Sequence, residues 1–117
     1  MILLIGGAGQ GKLAYALEKT GFSPEDVAYD PISARTKPIF DGLAAWARAH
    51  PGEGIGDLLE ANPGVVILCD EVGCGVVPVD PAARLMREQT GRLCQQLAKQ
   101  AQKVVRLYCG IPTVIKE

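Results

Sequence analysis

Five apolar residues, Met1-Ile2-Leu3-Leu4-Ile5, run straight into Gly6-Gly7-Ala8-Gly9-Gln10-Gly11-Lys12-Leu13. The apolar run is too short for a helix and its side chains suit a strand, whereas the Ala- and Leu-rich segment after Gly11 predicts a helix. Strand, glycine loop and helix in that order point to an α/β domain that opens on a phosphate-binding turn. The spacing Gly6-x-x-x-x-Gly11-Lys12 puts backbone N–H groups and the positive end of a helix around an anion, with an ammonium to neutralise its outer charge. Glycines suit the loop because side chains would keep phosphate oxygens away from the backbone. The competing reading is a tight turn without a ligand, and the flanking strand and helix are the context that favours the anion. The candidate nucleotide-binding residues are thus Gly6, Gly7, Ala8, Gly9, Gln10, Gly11, Lys12 and Leu13, with Lys12 also a candidate catalytic group. Where the pattern has a Ser or Thr whose hydroxyl meets Mg²⁺, this chain has Leu13, which cannot bind a metal.

A second signal lies some sixty positions on. Val65-Val66-Ile67-Leu68-Cys69 predicts a strand buried on both faces of a parallel sheet, and it ends in Asp70-Glu71. An acidic residue at the end of such a strand suits Mg²⁺, so Asp70 is the candidate metal residue. Glu71 is the candidate catalytic carboxylate that orients or deprotonates an acceptor. Asp30, at the end of a predicted strand from Val27 to Asp30, either points into the ligand crevice of the sheet or forms a turn before Pro31.

Elsewhere the pattern predicts a first helix from Gly11 to about Thr20 and a helix between Lys37 and His50 with Ile39, Leu43, Trp46 and Ala47 on one face. Trp46 reads as core or interface, the alternative being a ring against a base or flat ligand, and His50 as an exposed helix end. A short helix is expected over Ile55 to Ala61 and a long one from Pro81, capped by Asp80, to about Gln102, with Met86, Leu93, Leu97 and Ala101 buried. Arg84, Arg87 and Arg92 lie off that stripe and read as a solvated face, the alternative being contacts to phosphate or a partner subunit. Lys103 to Cys109 predicts a strand, Gly110-Ile111-Pro112 a turn, and Thr113 to Lys116 an edge strand.

At 117 residues the chain is expected to form one domain over 1–117. With 48% hydrophobic and 21% charged residues it reads as globular, and no apolar run is long enough to span a membrane. A net charge of −1 gives no general attraction to nucleic acid, so an anion needs a local site. No signal peptide is evident, and the expected location is cytoplasmic. There Cys69, Cys74, Cys94 and Cys109 are expected to be reduced, mostly buried small hydrophobes. Their spacing with His50 fits no usual zinc pattern.

Asp70-Glu71-Val72-Gly73-Cys74-Gly75-Val76-Val77-Pro78, then Asp80-Pro81 and Ala83-Arg84-Leu85-Met86-Arg87-Glu88-x-x-Gly91-Arg92-Leu93, resembles the bifunctional adenosylcobinamide kinase/adenosylcobinamide-phosphate guanylyltransferase family of cobalamin biosynthesis. That family has a similar N-E-V-G-x-G-x-V-P loop leading into an A-R-x-x-R-D-x-x-G-R-L-N-Q helix, a G-G-A-R-S-G-K-S phosphate loop and a terminal G-L-P turn, here Gly110-Ile111-Pro112. The likeness covers about residues 1–20 and 64–117. The family's guanylylated histidine sits in an H-x-x-R-R-P-x-x-W-like stretch that has no counterpart here, and His50 does not match it.

The resemblance implies a three-layer P-loop-type α/β domain, mainly parallel with an antiparallel C-terminal edge strand. It implies Mg²⁺ with ATP or GTP, a corrinoid acceptor, and a trimer at whose interface Arg87, Arg92 and Trp46 could lie. The expected function is phosphoryl transfer to the aminopropanol hydroxyl of adenosylcobinamide, without guanylyl transfer. The alternatives are a nucleotide-binding paralogue serving as a regulatory or partner subunit, and a kinase of another small alcohol.

Overall fold

In a computed structural model, which describes residues 1–70 and 80–117, the opening strand and helix are β1 (Ile2–Gly6) and α1 (Lys12–Thr20). Gly21, in the left-handed region at φ 77°, donates its N–H to the Leu17 carbonyl and ends α1 where the sequence predicts. There follow β2 (Val27–Ala28), β3 (Ile39–Asp41), α2 (Leu43–Ala49), α3 (Gly56–Ala61), β4 (Val66–Asp70), α4 (Pro81–Gln100), β5 (Lys103–Tyr108) and β6 (Ile111–Lys116), with short 3-10 turns at Pro24–Asp26 and Ser33–Thr36.

The six strands form one sheet in the order β2-β3-β4-β1-β5-β6, parallel except for the antiparallel pair β5–β6. Strand alternation divides the core in two. Leu3, Ile67, Cys69, Phe40 and Val104 face α2, α3 and α4, where Leu43, Leu58, Leu93 and Leu97 are buried. Leu4, Val66, Leu68, Ile39 and Val105 face α1, packed by Ala16, Leu13, Tyr15 and Leu17. Helices on both faces of a mainly parallel sheet make the expected three-layer α/β domain with an antiparallel C-terminal edge.

Three local expectations are corrected. The segment from Lys37 to His50 is not one helix: Ile39–Asp41 is a strand paired with both β2 and β4, and the helix starts only at Leu43. Gly42, at φ 91°, breaks the pattern between them, and the apolar pair Ile39-Phe40 is wholly buried in the sheet. The C-terminal turn is Cys109-Gly110, both at positive φ (51° and 74°), so Ile111 and Pro112 belong to β6. Two consecutive left-handed residues give the two-residue hairpin whose twist matches that of its strands. Met86, expected in the buried stripe of α4, is only half-buried, while Thr90, Leu93, Leu97 and Ala101 are buried.

β6 also closes the far end of α4. Lys116 Nζ donates to the carbonyls of Ala98 (3.0 Å) and Lys99 (2.9 Å), acceptors at the helix end that have no intrahelical partner. A cation there also complements the helix dipole. Lys116→Ala is expected to lower unfolding stability by about 1 kcal/mol, read as a lower urea midpoint at unchanged slope.

Candidate phosphate-loop site

The loop between β1 and α1 is held from both sides. Gly9 and Gly11 take φ 76° and 89°, which lets the chain turn sharply before Lys12, and Tyr15 N donates to Gly11 O (3.0 Å) at the start of α1. Gly6 lies so close to β5 that an added Cβ would stand 2.6 Å from the Leu107 carbonyl oxygen. Gln10 locks the loop to the β5–β6 turn: its carbonyl accepts from Gly110 N (2.9 Å) and its side-chain oxygen from Cys109 N. None of these contacts to the distant hairpin is marked by spacing in the sequence.

Lys12 does not project into solvent. Its residue is only 7% exposed, and Nζ donates to Gly6 O and Gly7 O (both 3.0 Å) while pairing with Asp70 Oδ1 at 2.7 Å. Asp70 is half-exposed at the end of β4, opposite Gly6 in the β1–β4 register.

A third charged group, not foreseen from the sequence, completes the cluster. Asp41 ends β3 and pairs with Leu68, two residues before Asp70, so both carboxylates lie on the α1 face of the sheet. Burial raises the Asp41 pKa above the ordinary carboxylate value. The backbone N–H of Gly42 and the charge of Lys12 pull it down, and the charge of Asp70 pushes it up. Asp41, Asp70, Lys12, Leu13 and the loop residues Ala8, Gly9 and Gly11 line a common cavity of about 400 Å³. The available signal was Ile39-Phe40-Asp41-Gly42, an apolar pair ending in an acid before a glycine, a shorter version of the run that ends in Asp70.

Chemically, an ammonium at the start of a helix suits an anion, and two carboxylates on one face suit a hard cation with oxygen ligands. Leu13 lines the cavity but also packs against the α1-side core, an apolar surface where the motif has a hydroxyl. Glu71 lies outside the described residues, as do Cys74 and the glycine-punctuated stretch from Val72 to Val79.

The other candidates fall elsewhere. Asp30 forms a turn: it accepts from Ser33 N (2.8 Å) and Ser33 Oγ (2.9 Å), bonds that hold its pKa below the ordinary value. Trp46 is partly buried against the core and stacks on His50 at 4.7 Å, with the His50 ring nitrogen Nδ1 2.9 Å from Trp46 O. Arg92 pairs with Glu88 at 3.8 Å on an exposed helix face, and Arg84 is exposed, as expected of a solvated side. Among the described residues no His, Cys, Asp and Glu group forms a metal cluster, and no helix is long and apolar enough to cross a membrane.

A glycine loop, a lysine and strand-end carboxylates at the carboxyl edge of the sheet define a three-layer α/β domain of the phosphate-loop class. Residues 43–115 match the model of a family described as cobinamide kinase / cobinamide phosphate guanyltransferase, and the chain belongs to that family. It is also similar to the bifunctional adenosylcobalamin biosynthesis protein CobU of Escherichia coli (strain K12), with 44% identity over 52 residues. That stretch is 44% of this chain and 29% of the relative, so the match spans less than a third of the relative's length.

Because a half-buried carboxylate is costly while charged, Asp41→Asn is expected to stabilise the fold at neutral pH. The raised folded-state pKa means that wild type loses stability as pH climbs from the ordinary carboxylate value through the raised one. The gain in Tm from Asp41→Asn should therefore be larger at pH 7 than at pH 4, as read by thermal melts of both proteins.

Proposed function

We propose that the chain binds a nucleoside triphosphate, ATP or GTP, with Mg²⁺ at the loop cavity and transfers its γ-phosphoryl group to the hydroxyl of a cobinamide-type acceptor. The observation that carries this reading is the convergence of Lys12, Asp41 and Asp70 on a cavity floored by the glycine loop. Family membership supplies the acceptor class.

Lys12 spends its three donor hydrogens on Gly6 O, Gly7 O and Asp70. To meet a phosphate it exchanges at least one of them, and the half-exposed Asp70 is the partner that can leave. Asp70 and Asp41 are the residues that would hold Mg²⁺ through their carboxylate oxygens, and the ion would supply positive charge to offset that of the phosphates. The acceptor oxygen forms a bond to the γ-phosphorus as the bond to the bridging oxygen breaks, and the nucleoside diphosphate leaves. Glu71, next along the chain from Asp70, is assigned to orient the acceptor and take its proton. Guanylyl transfer lacks its nucleophile here. The single histidine, His50, lines a different cavity with Glu53 and Arg92 and does not match the family's guanylylated stretch.

Leu13 favours a second reading, a nucleotide-binding subunit without transfer activity, because the hydroxyl expected at the metal is replaced by an apolar side chain. Calorimetry with ATP and GTP separates the two: binding indifferent to Mg²⁺, with no transfer, supports the subunit.

The decisive assay follows labelled γ-phosphate from ATP and GTP into adenosylcobinamide. Lys12→Ala is expected to lower kcat/KM by about 10²- to 10³-fold. No product above the Lys12→Ala background would sink the kinase. Leu13→Ser is expected to reduce the Mg²⁺ concentration needed for half-maximal rate, measured by titration in the same assay.

A further inference from the structure

We propose that Cys69 and Cys94 are a redox modification site: a thiol pair that a peroxide closes into an intramolecular disulfide joining β4 to α4. Cys69 ends the buried part of β4 one residue before Asp70, and Cys94 lies on α4 beside the buried positions Thr90, Leu93 and Leu97. Their sulfurs stand 3.0 Å apart, a thiol–thiol hydrogen bond. Forming a bond of about 2.0 Å needs the two sulfurs to approach by about 1 Å.

The two thiols are unequal in a way that sets the order of chemistry. Cys69 is 1% exposed and also lies 3.4 Å from the Asp70 carbonyl, whereas Cys94 is only partly buried. Cys94 is therefore the sulfur that a small oxidant can reach, and its thiolate is the attacking group. Its thiolate attacks hydrogen peroxide, forming the sulfur–oxygen bond of a sulfenic acid and releasing hydroxide. The Cys69 sulfur then attacks that sulfenic sulfur. The S–S bond forms, the sulfur–oxygen bond breaks, and the departing hydroxide takes the Cys69 proton as water. Both thiols are oxidised, and one peroxide is reduced to two waters.

The site is independent of which nucleotide or acceptor the loop cavity takes. Its placement gives it consequence, because the ring it closes contains Asp70 and Glu71. A ring of roughly 25 residues restricts the unfolded chain enough that the oxidised protein should melt at least about 5 °C higher than the reduced one.

The test treats the full chain with stoichiometric hydrogen peroxide and maps non-reduced peptides by mass spectrometry, beside thermal melts. The expected result is a Cys69-to-Cys94 linked peptide two hydrogens lighter than its parts, reversed by dithiothreitol, with the higher Tm in the oxidised sample. Cys94→Ala should abolish the link and the Tm shift, and Cys69→Ala should leave a sulfenic acid on Cys94 that dimedone traps. Over-oxidation of Cys94 without a link would overturn the proposal. So would linkage of either cysteine to Cys74 or Cys109, or thiols left intact.

Discussion

The ammonium of Lys12 is charged and almost withdrawn from water, and such a group is tolerated only where its hydrogens are all received. Two acceptors are carbonyls of its own loop, Gly6 and Gly7, and the third is the carboxylate of Asp70 at the end of a neighbouring strand. The loop therefore curls back on its own lysine, and β1 is tied to β4 through a charge as well as through their backbone ladder. Asp41 is drawn into the same field from β3: burial raises its pKa, the Gly42 N–H and Lys12 lower it, and Asp70 raises it. Three adjacent strands thus direct their chemistry at one point. The carboxyl edge of a parallel sheet makes this convergence available, because every parallel strand ends on the same side.

Behind that edge, the two-faced alternation of the strands decides which helix each side chain meets. Val66 and Leu68 look toward α1 while Ile67 and Cys69 look toward the α2 and α4 side, so Asp70 arrives on the Lys12 side by count alone. The antiparallel hairpin at the other side of β1 supplies the loop's second wall. Gly6 fits only because it has no side chain to meet the Leu107 carbonyl, and Gly11 comes within 3.4 Å of Gly110 Cα by the same measure of an added Cβ. The edge strand β6 is largely exposed, with Ile111, Val114 and Ile115 open to solvent, so its structural weight lies in this turn and in the Lys116 cap.

Much of the fold was legible in local patterns. Short apolar runs gave β1 and β4, a β-branched stretch stopping at Gly110 gave β5, and Asp80 before Pro81 gave the start of α4, where Asp80 Oδ1 accepts from Ala82 N. The phosphate-loop spacing and the acid that ends β4 were also readable, because each is a contiguous signature. The strand β3 was not. Three residues are too few to show a period of two, and Ile39 falls by coincidence on the helical face of the residues that follow. Asp41 was missed with it. The hairpin turn lies one or two residues earlier than Pro112 suggests, because proline reads as a turn residue until its place on an edge strand is known.

From its residues alone, this chain determines a mainly parallel α/β sheet that opens on a glycine loop, and the segment that matches its family is specific enough to name that family. Those properties depend on neighbours in sequence: strand and helix periods, caps, and the backbone freedom of glycine. Tertiary structure decided that Lys12 points inward to Asp70, that Asp41 joins them, that Gln10 fastens the loop to the Cys109-Gly110 turn, and that Cys69 meets Cys94. Each of those contacts joins residues 25 or more positions apart. No local propensity encodes such a pair, because the strand order and the pleat bring its members together only after the chain has folded.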